Sequence, residues 1–478
     1  MKYGQQSFRR TKIVCTLGPA TASQSMIEKL LKAGMNVARL NLSYGTHDEH
    51  ERTIGIVRET SQRLGLPAAV LMDLPGPKYR IGKLRGGSVN LKKGATVMLT
   101  SKEMEGNEKE LPVNLPTLTK DIKACDTVLL GDGALELKVE EVSGKEATCK
   151  VVVGGNLLSG KGVVVPGMAI STPFLTDTLR SHLSFAMAHQ PDFVALSFVT
   201  TSAEVLHVKE LLQRNDAGIP IISKIERVQA VDSFDEILLA SDGIMVARGD
   251  LGVALPLEKV PMVQKDIIRK CNKAGKPVIT ATQMLESMIK APLPTRAEVT
   301  DVANAIFDGT DAAMLSGETA MGEYPVQAVQ MMARIAVEAE AHLPYDELLV
   351  SKRKSLEPET DEAISYDACR TALQLGAAAI VAFTQSGSTA KRVSKYRPRV
   401  PVLALTPDEK VRRRLLLYWG VYPVKIVEPY TIGELFKLGA DLAVKTGLAK
   451  KGELIVITGG IPVGVAGGTN MLKVERIG

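Results

Sequence analysis

A chain of 478 residues is too long for one ordinary domain and suggests about three, with a closed barrel counting as one large unit. Hydrophobic content of 45% with only 4% aromatic residues, together with 41 glycines, resembles an α/β enzyme and argues against a β-sandwich. The formal net charge of +6 arises from 59 basic and 53 acidic residues spread along the chain, which favours small anionic ligands over nucleic acid.

The polar, basic opening at 1–12 leads straight into an apolar strand, with no apolar leader behind it, and no later run reaches membrane-spanning length. Cys15, Cys125, Cys149, Cys271 and Cys369 are odd in number and lack C-x-x-C spacing, so they read as reduced thiols of a cytoplasmic protein without a membrane partner. From residue 12 to about 343, apolar runs alternate with amphipathic helical stretches. The runs are 13–17, 37–42, 69–74, 193–198, 220–225, 243–247, 277–281 and 312–315. Eight such units predict an α/β fold, a (β/α)8 TIM barrel with its active site at the carboxyl ends of the strands. Those ends carry Arg39, Asn41, Ser43, Asp73, Lys224, Glu226, Asp250, Thr282, Ser316 and Glu318.

Between the third and fourth runs lie short alternating stretches at 88–91, 96–100, 127–130, 135–142, 147–153 and 162–165, separated by turns such as Gly86-Gly87 and Gly131-Asp132-Gly133. They predict an inserted all-β lid domain hinged at Pro75-Gly76-Pro77 and Pro166-Gly167, able to exclude water from the barrel mouth. After an acidic connection at 351–362, a C-terminal doubly wound α/β domain of about five strands follows. Its expected helices are 364–375, 389–396, 408–419 and one from 432; its expected strands are 379–383, 402–405, 424–427, 454–458 and an edge at 472–474. The domains are placed at 1–77 (barrel, first part), 78–173 (lid), 174–345 (barrel, second part) and 346–478 (regulatory).

Two stretches carry charge where a buried strand should be apolar. In Ile221–Ile225 followed by Glu226, the spacing Lys224-x-Glu226 puts ammonium and carboxylate on one face of a strand, and Asp250 ends the next. Two carboxylates on neighbouring strand ends suit Mg2+ or Mn2+, with substrate oxygens completing the shell; a structural Lys–Glu–Asp ion-pair cluster is the alternative. In the C-terminal domain, Thr384-Gln385-Ser386-Gly387-Ser388-Thr389 presents hydroxyls and N–H groups at a helix start, a phosphate cradle or an ordinary N-cap. The glycine-rich stretch 459–468 would close over the same ligand. Arg412-Arg413-Arg414 reads as a solvated helix face.

Several of these stretches resemble the pyruvate kinase family, over almost the whole chain. The motifs are Thr11-Lys12-Ile13-Val14-Cys15-Thr16-Leu17-Gly18-Pro19-Ala20, Ala38-Arg39-Leu40-Asn41-Leu42-Ser43, Ile222-Ser223-Lys224-Ile225-Glu226, Met245-Val246-Ala247-Arg248-Gly249-Asp250-Leu251-Gly252, Ala281-Thr282-Gln283-Met284-Leu285-Glu286-Ser287-Met288 and Met314-Leu315-Ser316-Gly317-Glu318-Thr319. The resemblance implies phosphoryl transfer from phosphoenolpyruvate to ADP, giving pyruvate and ATP in glycolysis. It implies Lys224 as transition-state stabiliser, Arg39 on the phosphate, and Glu226 and Asp250 as Mg2+ ligands. Gly249, Asp250 and Thr282 would bind substrate, and Thr282 and Ser316 are candidates for delivering the enolate proton. Asn41, Arg80 and Lys161 would meet the nucleotide phosphates. A homotetramer, and a phosphorylated allosteric effector at Thr384, Ser386, Gly387, Ser388 and Thr389, are further expectations.

Three departures from the common pattern stand out. Tyr44 replaces a usual His, and Thr176 replaces a usual Lys in the nucleotide phosphate region. The family's K+ site matches Asn41, Ser43, Asp73 and Leu74, but Lys78 stands where a Glu is usual, with Leu74 and Ile81 in place of commoner Thr residues. A tethered ammonium supplies the charge that K+ otherwise brings, so activity without K+ is expected; a solvent-facing Lys78 is the alternative. Two rival functions are a Mg2+-dependent barrel aldolase or lyase acting on pyruvate enolate, and a non-catalytic phosphometabolite sensor.

Overall fold

Eight runs rich in Val, Ile, Leu and Ala form the parallel strands of a closed barrel in the computed structural model. It describes residues 8–114, 117–131, 133–168, 171–353, 356–428, 431–462 and 468–478. The strands are β1 (Lys12–Leu17), β2 (Val37–Asn41), β3 (Ala69–Leu74), β4 (Phe193–Leu196), β5 (Ile221–Ile225), β6 (Gly243–Ala247), β7 (Val278–Ala281) and β8 (Ala312–Leu315). They close in the order β1-β8-β7-β6-β5-β4-β3-β2. Nearly every residue in them is buried, as expected where helices cover one face and layered side chains fill the other. Helices between strands start where short polar side chains satisfy free N–H groups: Thr46 with Glu49, Thr201 with Glu204 and Thr295 with Glu298 each form a capping box.

The chain divides into two compact units, Met1–Met72 with His189–Val194 and Ile268–Gly478, and Asp73–Ala188 with Ala195–Ile267. The second unit contains the expected all-β insertion. Its sheet runs Tyr79–Arg80, Gly162–Val164, Thr127–Leu130, Leu135–Ser143, Glu146–Val153, Thr96–Thr100 and Glu110–Pro112, and Gly155–Leu158 pairs separately with Ser88–Leu91. Tyr79, Leu99, Val128, Leu137 and Cys149 pack its core. The strands Tyr79–Arg80, Glu110–Pro112 and Gly155–Leu158 are additional: the first two, of two and three residues, are too short to display a period of two, and Gly155-Asn156-Leu157-Leu158 does not alternate. The Gly131–Gly133 turn and the 459–468 loop reach positions 132 and 463–467, which lie outside the described residues.

The first unit carries the C-terminal sheet, β9 (Ala379–Phe383), β10 (Val402–Thr406), β11 (Val421–Lys425), β12 (Leu454–Gly459) and β13 (Met471–Arg476), in the order β11-β10-β9-β12-β13. Only β13 runs antiparallel. Strand β11 begins three residues before the expected 424–427, since Pro423 hides the alternation. The order places β11 at the sheet edge, where a proline's missing N–H costs little. The helix expected over 408–419 is shorter, Glu409–Arg414 followed by a 3-10 turn at Leu415–Leu417. Its arginines are not a solvated face: Arg413 Nε donates to Asp192 Oδ1 at 2.8 Å, and that carboxylate is buried and also accepts from Val70 N. Arg397 is likewise buried, donating to Asp311 at 2.7 Å and to Gly309 O at 2.7 Å. No helix among the described residues is long and apolar enough to cross a membrane.

Candidate active site

In the second unit, a charged chain of contacts follows the ends of β3, β4 and β5. Lys224 Nζ lies 2.7 Å from Ser197 Oγ, 3.0 Å from Glu226 Oε1 and 3.2 Å from Asp73 Oδ1. Ser197 Oγ in turn donates to Asp73 at 3.1 Å. The two-residue spacing in β5 accounts for the Lys224–Glu226 contact. Ser197 follows β4, a strand end absent from the sequence-derived set, although the same strand-end rule points to it. Phe198, next in line, has φ of 59°, and its N–H donates to Glu226 Oε2 at 2.6 Å. A left-handed backbone is uncommon for a bulky residue and costs on the order of 1–3 kcal/mol. Here it aims an N–H at a buried carboxylate. The Phe198 ring also lies 5.1 Å from Lys78 and 4.9 Å from Arg227, within cation–π reach of both.

The Pro75-Gly76-Pro77 connection fits closely against this turn. A Cβ at Gly76 would lie 2.1 Å from Ser197 O, so only glycine allows the approach. Arg227 holds the same connection by donating to Pro77 O at 2.7 Å. Lys78 then reaches Asp250, with Nζ 2.5 Å from Oδ1, and is largely buried, not solvent-facing. Asp250 lies in the first turn of the helix Arg248–Ala254, directly after β6, with Gly249 beside it. Burial pushes the Asp250 carboxyl up, but the charge and hydrogen bond of Lys78 outweigh it and leave the group below its ordinary value. Burial raises Glu226; Lys224 offsets this in part, while the charge of Asp250 adds to the rise. Arg80, on the lid strand, is partly exposed and donates to Gly160 O at 3.1 Å, and Lys161 O accepts from Ile81 N.

In the first unit, Arg39 Nη1 donates to Thr16 Oγ1 at 2.8 Å. Asn41 Oδ1 accepts from Ser43 N at 3.2 Å. Thr282, immediately after β7, has φ of 66°, an outlier for a β-branched residue, and donates to Ala281 O. Glu318 accepts from Ser316 N at 2.7 Å and from Leu285 N at 3.1 Å, so it fixes the β8 turn as a buried backbone acceptor. Ser316 Oγ is buried with no hydrogen-bond partner among the described residues, which leaves its hydroxyl available for a ligand. Further along, Gly387 caps the helix Ser388–Lys395 with φ of 87°. In that turn Ser386 Oγ donates to Ser388 Oγ at 3.2 Å, Thr389 and Thr469 hydroxyls meet at 2.8 Å, and Thr384 Oγ1 is buried with no hydrogen-bond partner among the described residues.

No group of three or more His, Cys, Asp or Glu side chains among the described residues is arranged to hold a metal. Glu226 and Asp250 nevertheless suit a divalent cation. They are hard oxygen donors, each electrostatically felt by the other, and a cation beside them relieves that repulsion while ligand oxygens fill the remaining positions.

A model of the pyruvate kinase barrel domain matches residues 8–329, and one of the pyruvate kinase alpha/beta domain matches residues 362–475. The chain is 46% identical over 472 residues to pyruvate kinase of Staphylococcus aureus strain MRSA252, covering 98% of this chain and 81% of that relative. The strain USA300 enzyme gives the same identity and coverage. The crystal structure of a pyruvate kinase from Cryptosporidium parvum superposes with a TM-score of 0.92 at 37% identity, covering 98% of this chain and 96% of that one. On these matches and on the closed barrel with its inserted and C-terminal domains, the chain belongs to the pyruvate kinase family of phosphotransferase enzymes, which generally use a divalent metal.

Proposed function

We propose that this chain converts phosphoenolpyruvate and ADP to pyruvate and ATP with Lys224 as the central cation. The observation that carries the reading is the Lys224 ammonium, largely buried at a barrel strand end and held by Ser197, Asp73 and Glu226. A transferring phosphoryl group has dispersed negative charge and needs little covalent chemistry, so positioned cations in a dry site do most of the work. Lys224 stabilises the equatorial phosphoryl oxygens, and Arg39 binds the phosphate of the substrate. Glu226 and Asp250 hold Mg2+ or Mn2+, which when bound supplies Lewis-acid stabilisation of the leaving enolate oxygen. Gly249, Asp250 and Thr282 bind the substrate, while Thr282 and Ser316 relay the proton that the enolate carbon takes up. The Ser316 hydroxyl, without a hydrogen-bond partner among the described residues, favours that role.

Asn41, Arg80 and Lys161 bind the nucleotide phosphates, with Thr176 leaving one cation fewer there. Lys78 replaces K+ at the site matched by Asn41, Ser43, Asp73 and Leu74. Residues 78–173 act as the lid, and 346–478 form a regulatory domain whose Thr384, Ser386, Gly387, Ser388 and Thr389 bind a phosphorylated effector. The working form is a cytoplasmic homotetramer. Formation of pyruvate and ATP from phosphoenolpyruvate, ADP and Mg2+ by purified protein tests the reaction. An aldolase or lyase would act on a pyruvate enolate without ADP, and a sensor would bind phosphometabolites without turnover; either result overturns the reading.

A further inference from the structure

We propose that Thr16 is a positioning residue that sets the plane of the Arg39 guanidinium, and through it the affinity for the substrate phosphate. The inference rests on the reading of Arg39 as the phosphate-binding group. Thr16 and Arg39 are register partners on the parallel strands β1 and β2, so their side chains emerge on the same face. Arg39 Nη1 donates to Thr16 Oγ1 at 2.8 Å, with both residues buried.

The Thr16 hydroxyl has one proton, and it is committed to Leu315 O, 3.0 Å away at the end of β8. A lone pair of Oγ1 therefore faces Arg39. The residue is held from the same side by Thr319, whose hydroxyl donates to Thr16 O at 2.8 Å. Thr16 is thus a fixed acceptor, oriented by two bonds to the β8 end. A guanidinium is planar, so fixing one nitrogen restricts the orientation of the whole fork that meets a phosphate. Valine at position 16 would preserve the β-branched shape and remove the acceptor that Nη1 meets, so the fork would lose the bond that orients it from the β1 side.

Thr16→Val should raise KM for phosphoenolpyruvate about tenfold, the effect of one charge-assisted hydrogen bond, while KM for ADP stays within about twofold. Thr16→Ser, which keeps the hydroxyl, should restore KM for phosphoenolpyruvate. In an Arg39→Ala background, Thr16→Val should add little, because the two act as a unit. If Thr16→Val does not fold, Thr16→Ser against Thr16→Cys supplies the same contrast between a good and a poor acceptor. Unchanged KM for phosphoenolpyruvate in Thr16→Val or Thr16→Cys, beside a raised value in Arg39→Ala, overturns the role of Thr16 alone. Equal rises in both KM values, or no rescue by serine, mark a merely structural threonine and also overturn it. Unchanged KM for phosphoenolpyruvate in Arg39→Ala overturns the reading of Arg39 and the inference together.

Discussion

Lys78 and Asp250, 172 positions apart in sequence, form a largely buried ion pair with Nζ 2.5 Å from Oδ1. The contact places a tethered positive charge on a proposed metal-binding carboxylate, and a second monovalent cation close by would be repelled. Activity should therefore be nearly unchanged when K+ is replaced by a tetraalkylammonium ion at constant ionic strength, and Lys78→Glu should create a K+ requirement. Strong stimulation of the unmutated enzyme by K+ would refute the assignment.

Lys224 is expected to dominate turnover. Lys224→Met should lower kcat by about 10²–10⁴-fold, the scale of one preorganised charge-stabilising group. The same change leaves Asp73 and Glu226 buried without their cation, which costs about 3–5 kcal/mol of stability. Circular dichroism and denaturant unfolding alongside the kinetics separate the two effects; a folded variant with near-normal kcat would sink the role.

The Thr384–Thr389 turn should respond to charge. With a phosphorylated effector bound there, Ser386→Asp should repel the anion and abolish activation, with basal activity retained. Screening sugar phosphates and nucleoside monophosphates against both proteins checks this. Unchanged activation of the variant would place the effector elsewhere.

Lys12 makes a pH prediction about stability. Burial, with Arg9 adding to it, pushes its ammonium down from 10.5 to about 7, and Nζ donates to Val421 O at 2.6 Å. Because the folded value is lowered, the unfolded chain binds more protons between pH 7 and 10.5, and stability rises with pH across that window. Lys352 has the same lowered value, with burial and Arg397 as its causes, and contributes in the same direction. Thermal midpoints of the unmutated protein should climb from pH 7 towards 9, above which the buried thiols of Cys15, Cys149, Cys271 and Cys369, pushed up by burial from an ordinary 9.0, act in the opposite direction. Lys12→Met should flatten the climb, and an unchanged slope would show that Lys12 is not a source of it.

Much of the fold was legible because strand and helix periods are local. The run 243–247 and the lid strands Ser88–Leu91, Thr96–Thr100 and Thr127–Leu130 occur where alternation and turns predicted them. Strand β11 starts earlier than its pattern suggests because Pro423, in an edge strand, disguises the alternation. The arginines at 412–414 read as solvated because the only partner local spacing offers Arg413 is Glu409, 3.9 Å away one turn earlier, whereas the buried carboxylate it meets at 2.8 Å, Asp192, lies 221 positions away.

Spacing alone shows that Lys224 and Glu226 share a face, that Asp250 comes just after the next strand, and that a β insertion follows the third strand; that Asp250 sits in the first turn of the helix Arg248–Ala254, and not on the strand Gly243–Ala247 itself, is a finding of the structure. It took the folded chain to show that Ser197 and Asp73 complete the surroundings of Lys224, that Phe198 turns its N–H to Glu226, that Thr16 accepts from Arg39, and that Lys78 reaches Asp250. Periodicity says which face a side chain takes, but not which distant residue it meets there. That depends on the order in which strands close the barrel and on the register between them, and the partner of Lys224 at Asp73 lies 151 positions away.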